Sequence, residues 1–134
     1  MAAVAVEEKL VGVGDAAAVV VELSLPEGFK LNPLYPSVVI ATSAEAQSII
    51  AGDALGRRLK ATVEDSTAKF SLPLTGKTGT ADVSLAFSYG YCRDGAGGVS
   101  KVGRARWELP LSVVENGPDE FRLKAAPSEV GRGG

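Results

Sequence analysis

The chain has 134 residues, a length that suits one hydrophobic core. A hydrophobic fraction of 46%, a charged fraction of 22%, 16 glycines and 7 prolines describe a globular, turn-rich chain and exclude a disordered one. A formal charge of −2, one cysteine and no histidine give no broad attraction for nucleic acid, and exclude Ser-His-Asp or Cys-His catalysis, a thiolate-rich metal site and an internal disulfide.

The first nine residues lack a basic segment followed by a long apolar run and do not read as a secretory signal; residues 4–13 read as a strand. In 16–25, Val19, Val21, Leu23 and Leu25 share one parity against Glu22 and Ser24, the period of a half-buried strand. Its apolar run is far too short to span a bilayer. Pro26-Glu27-Gly28 ends this strand with a turn. Asn32, Pro33 and Pro36 then predict an extended connection into a short strand at Val38-Val39-Ile40. Residues 43–50 have helix-tolerant composition but Gly52 comes soon after, so a turn or short helix is expected. Alternation resumes at 59–63 and again at Phe70, Leu72 and Leu74, which predicts two more strands.

The clearest strand is 81–91, where Val83, Leu85, Phe87, Tyr89 and Tyr91 share one face. After a glycine-rich link at 94–98, Trp107, Leu109, Leu111 and Val113 line another, with Pro110 predicting an edge or a bulge. Phe121 and Leu123 predict one short docked strand, and 125–134 reads as a tail. About seven short strands separated by turns predict an all-β fold, an immunoglobulin-like antiparallel β-sandwich, formed by a single domain over 1–124.

Few segments carry chemistry. Leu74-Thr75-Gly76-Lys77-Thr78 resembles the end of a phosphate-binding loop, but Ser71 stands where that motif needs glycine and a strand comes next where it needs a helix; a hairpin turn is expected. The clusters Arg57, Arg58, Lys60 and Lys101, Arg104, Arg106 read as solvated strand faces. The pairs Glu7-Glu8 and Asp119-Glu120 point to opposite sides of their strands. No metal or cofactor is implied. The informative segment is Tyr89-Gly90-Tyr91-Cys92-Arg93-Asp94-Gly95, a strand end that delivers the lone thiol to a loop. Arg93 favours a thiolate at Cys92 and Asp94 opposes it; the alternative is an inert core filler.

Two stretches in register carry a resemblance: Leu25-Pro26-Glu27-Gly28-Phe29-Lys30-Leu31-Asn32-Pro33 with Tyr35-Pro36-Ser37, and Tyr89-Gly90-Tyr91-Cys92-Arg93-Asp94-Gly95 with Trp107-Glu108-Leu109-Pro110-Leu111. Over residues 16–114 the sequence resembles the β-rich C-terminal domain of proteins that join a thioredoxin-like domain to an NHL β-propeller, such as the plant suppressor-of-quenching type. Its layout is also similar to the N-terminal, immunoglobulin-like domain of the thiol:disulfide interchange protein DsbD. The resemblance implies a redox thiol at Cys92, with Tyr89, Tyr91, Arg93 and Ser100 as its surroundings. Ser100 stands where these families place a second, resolving cysteine, and a hydroxyl cannot resolve a mixed disulfide.

The expected function is that of a non-catalytic accessory domain, related to thiol-disulfide modules, that binds a protein partner of thioredoxin-like or β-propeller type. Two alternatives stay open: thiol-disulfide exchange through Cys92 with a partner's cysteine, and a purely structural sandwich. A lumenal or periplasm-like setting is implied by the resemblance alone.

Overall fold

The structure, a computed structural model, describes residues 4–93 and 100–126. Two β-sheets face each other across the alternating apolar positions. The larger is built from β1 (Val4–Ala5), β2 (Lys9–Gly12), β4 (Phe29–Leu31), β5 (Val38–Thr42), β6 (Arg58–Lys60), β9 (Gly79–Arg93) and β10 (Ser100–Val114). The smaller is ordered β11 (Glu120–Ala125), β3 (Ala16–Leu23), β8 (Thr67–Pro73), β7 (Thr62–Glu64). The fold is therefore the all-β sandwich that the alternation predicted. The sheets are mixed, however, and not purely antiparallel: β1 and β2 run parallel to β10, and β11 runs parallel to β3.

β9 and β10 form the spine of the larger sheet, antiparallel from Gly79 opposite Val113 to Cys92 opposite Ser100. β4 and β5 share the far edge of β9, and β1 and β2 share the far edge of β10. The predicted N-terminal strand is split into β1 and β2, and Pro110 explains the split. Val6 donates to the Glu108 carbonyl at 3.0 Å and Val13 to that of Val114 at 2.8 Å, so even-numbered residues of β10 turn their backbone groups toward β1 and β2. Pro110 is even-numbered and has no N–H to offer, and it falls between the end of the β1 register at Glu108 and the start of the β2 register at Leu111. The ladder is interrupted where its donor is missing.

The interior collects the residues that the alternation placed inward: Val19, Val21, Phe70, Leu72, Leu85, Phe87 and Trp107 are all buried. Trp107 also ties the sheets together, its indole Nε1–H donating to the Lys124 carbonyl on β11 at 3.1 Å. Segment 43–50 forms bends, and a single 3₁₀ turn, Gly52–Ala54, comes after them. The Gln47 side chain organises these bends, its Oε1 accepting from the amides of Ile49 and Ile50 at 2.9 and 2.6 Å and so holding both isoleucines in the core. The Thr75–Lys77 connection leads from β8 in one sheet to β9 in the other, a crossing and not the hairpin expected from its composition. Thr75 Oγ1 donates to the Ser48 carbonyl at 2.5 Å, and Gly76 takes a φ of +87°.

Two glycines admit tyrosine rings. Gly103 faces the interior opposite Tyr89, and a Cβ there would overlap Tyr89 Cζ; on the outer face, a Cβ on Gly90 would lie 2.5 Å from Tyr35 Cγ. Each ring fills the space of the side chain the glycine lacks. Gly103→Ala is therefore expected to cost about 1–3 kcal/mol in chemical denaturation, because Tyr89 is held among packed aromatic neighbours and cannot give way freely. Gly14→Ala, whose Cβ meets nothing within 4 Å, is the control and should be neutral or slightly stabilising.

Candidate functional site

The candidate site grows from the end of the β9–β10 ribbon. The sequence placed Cys92 on a loop; the structure keeps it within β9, half-buried, between Lys30 of β4 and Ser100 of β10. The Asn32 amide donates to the Gly90 carbonyl at 2.9 Å, so even-numbered residues of β9 direct their backbone groups toward β4. The even-numbered positions of β10 turn away from β9 as well, which makes Cys92 and Ser100 a non-hydrogen-bonded antiparallel pair. In such pairs the Cα atoms approach to roughly 4.5 Å, the closest spacing that a sheet offers. The position that the resemblance assigns to a resolving cysteine is thus directly across from Cys92. The link at 94–98, including Asp94, lies outside the described residues.

Strand alternation separates the other candidates from the thiol. Tyr89 and Tyr91 are buried in the interior, on the face opposite Cys92, and do not wall the sulfur. They belong to an aromatic row: Phe29 to Tyr91 at 5.6 Å between ring centroids, Tyr91 to Tyr89 at 6.0 Å, Tyr89 to Phe87 at 5.0 Å and Phe87 to Trp107 at 6.3 Å. Arg93 likewise leaves the strand on the side away from Cys92, its guanidinium 5.4 Å from the Phe29 ring centroid, with Lys101 Nζ 5.5 Å from the same ring. The charged residue on the face of the thiol, at the adjacent register position, is Lys30.

One register position further along the outer face, the neighbours of Cys92 become apolar. Tyr35 lies over Gly90, the next residue along that face, and Val102, opposite Gly90, is 55% exposed. The turn that carries Tyr35 is built by Asn32 and Pro33. Asn32 Oδ1 accepts from the Leu34 amide at 2.9 Å and the Asn32 carbonyl from that of Tyr35 at 3.1 Å, which lifts Leu34 to 90% exposure at the tip. A groove of about 630 Å³ runs from this turn to segment 60–63. Sequence reasoning missed this arrangement, although Gly90 between two aromatic residues was its trace: a glycine on the solvent parity of a long strand admits a close neighbour.

Of the acidic pairs, Glu8 and Glu120 have structural roles. Ser112 Oγ donates to the Glu8 carboxylate, and Arg122 pairs with Glu22 at 2.8 Å and Glu120 at 3.2 Å. Among the described residues there is no group of three or more His, Cys, Asp or Glu able to hold a metal, and no helix long and apolar enough to cross a membrane. No protein-family model matches the chain, and no curated protein matches it.

Ser100→Cys should close a disulfide with Cys92 under mild oxidation, visible as the loss of both free thiols in the folded protein, because the non-hydrogen-bonded register falls within disulfide Cα separations. Tyr89 has a buried hydroxyl without a hydrogen-bond partner, and desolvation, with a smaller contribution from its neighbour Tyr91, pushes its pKa up to about 12 from 10.0. A raised folded-state pKa leaves the folded chain holding a proton that the unfolded chain has lost, so stability should fall as pH rises from 10 to 12. Tyr89→Phe should flatten that fall and, by removing an unpaired buried hydroxyl, leave stability at neutral pH unchanged or raised by about 1 kcal/mol.

Proposed function

We propose that this chain is a non-catalytic accessory domain of a thiol-disulfide system, which binds a protein partner of thioredoxin-like or β-propeller architecture through the outer face around Cys92. The observation that carries the reading is the grouping, on one face, of a half-buried thiol with the exposed side chain of Val102 and the Tyr35 ring laid across Gly90, with Leu34, 90% exposed, on the same turn as Tyr35. Exposed aliphatic residues beside an ordered aromatic are the composition of a contact surface core. The rigid β9–β10 ribbon holds that surface in a fixed shape, which lowers the ordering cost of binding.

The half-buried position of Cys92 also favours a second reading, thiol exchange with a partner's disulfide. The Cys92 thiolate would attack one partner sulfur, forming a mixed disulfide as the other partner sulfur leaves as thiolate. With Ser100 across the ribbon, release would require a partner thiol.

Separate variants distinguish the two. Titrated with an isolated thioredoxin-like domain and an isolated propeller domain, Val102→Glu and Leu34→Glu should each weaken binding at least about tenfold, the effect of losing an interface anchor. Cys92→Ser should leave affinity unchanged. Loss of binding in Cys92→Ser alone, together with a trapped mixed disulfide in the parent protein, would replace the accessory reading by exchange. Unaltered binding in both glutamate variants, or no binding by the parent protein, would remove the proposed surface.

A further inference from the structure

The flank of the sandwich at β6 carries a second open cleft, which shares Lys60 and Thr62 with the groove beside the Tyr35 turn and contains neither Cys92 nor Val102. Among the described residues, β6 is an edge of the larger sheet and pairs only with β5. The Ala61 amide donates to the Ser37 carbonyl at 2.9 Å, in register with Val38 opposite Lys60. Leu59 and Ala61 therefore turn their backbone groups into the sheet, and Arg58 and Lys60 turn theirs outward. In the smaller sheet, β7 covers β8 only from Thr67 to Lys69. The Leu74 amide bonds Asp15 on the β3 side at 2.8 Å and the Pro73 carbonyl accepts from Ala51 on the other side at 3.1 Å. By the same alternation, the backbone groups of Ser71 face the uncovered edge.

These two open edges border a cleft of about 450 Å³, with Phe70 at its floor, the hydroxyls of Thr62 and Ser71 on its wall, and Arg58, Lys60 and Lys69 around it. Among the described residues no acidic side chain lines it, and none of these three cations makes an ion pair with a described residue. The second basic cluster differs in this respect: Arg106 bonds Ser84 at 3.2 Å and pairs with Glu108 at 3.6 Å, and Lys101 lies over Phe29.

We propose that the cleft between β6 and β8 is a docking site for an extended, acidic segment of a partner protein, which adds as a strand to the β6 edge. The outward amides and carbonyls of Arg58 and Lys60 supply the ladder, and alternate carboxylates of the incoming strand meet the unpaired cations. A second copy of this chain is disfavoured, because its own Arg58 and Lys60 would be brought against these.

The probe is a capped seven-residue peptide, Thr-Glu-Val-Glu-Val-Glu-Thr, with two companions: the same peptide with Lys for Glu, and the Glu peptide N-methylated at alternate amides. The amide resonances of Arg58, Lys60 and Ser71 should shift and become protected from exchange with the first peptide only. Arg58→Glu, Lys60→Glu and Lys69→Glu combined should weaken binding at least about tenfold, and so should raising salt from about 50 to about 500 mM. Each single reversal provides the same reading if the triple variant folds poorly. Equal binding of the N-methylated or lysine peptide would overturn strand addition or charge recognition, respectively. Inorganic phosphate producing the same shifts and protection would reduce the cleft to a small-anion site, and self-association mapped to these residues would replace the acidic partner by a second copy. Val102→Glu should leave this binding intact, which separates failure here from failure of the Cys92 surface.

Discussion

The β9–β10 register is the constraint on which the rest of the molecule depends. With Phe87 opposite Ala105 and Leu85 opposite Trp107, each long strand points its apolar residues inward at the same level, and a slip by one residue would turn the whole apolar row of the slipped strand into solvent. The same register brings Gly103 beneath Tyr89 and sets Cys92 across from Ser100. It also decides where neighbours attach. Backbone groups alternate in direction along each strand, so the outer edge of β10 can recruit β1 and β2, and the outer edge of β9 can recruit β4 and β5.

Much of this is legible in the residues. The five inward positions of β9 and the four of the Trp107 stretch are buried as their alternation requires, because burial of one sheet face imposes a two-residue period whatever the partner strand. Direction and partner are less visible, since a period of two is the same in parallel and antiparallel ladders. That is why the parallel attachment of β1, β2 and β11 does not show in the residues, and why Thr75-Gly76-Lys77 resembles a hairpin when it crosses between sheets. Pro110 suggests an edge or a bulge, whereas β10 lies inside the sheet with an unbroken register to β9, and the interruption falls between β1 and β2 on its other side, through a pairing that no local pattern encodes.

For the candidate site, the identity of Cys92 is evident from the sequence and its setting is not. Alternation alone puts Arg93, Tyr89 and Tyr91 on the face opposite the thiol once the strand is known to continue through Arg93; turn composition after Tyr91 suggests that it stops. The outer-face cover comes from residues more than fifty positions earlier, where Asn32 and Pro33 shape the turn that sets Tyr35 on Gly90. The cationic cleft is equally hidden, because Lys69 joins Arg58 and Lys60 only through the crossing from β6 to β7.

The parallel pairing of the terminal segments also bears on how the molecule is made. Val4 pairs with Trp107, Lys9 with Leu111, and Val19 with Phe121, so the second edge of β3 and the whole of β1 and β2 wait for residues synthesised much later. On a ribosome, the early apolar strands emerge long before the strands that cover them. Closure of both sheets is then a late event, with a large loop-closure entropy to overcome and a period in which unpaired edges are open to chaperones or to aggregation.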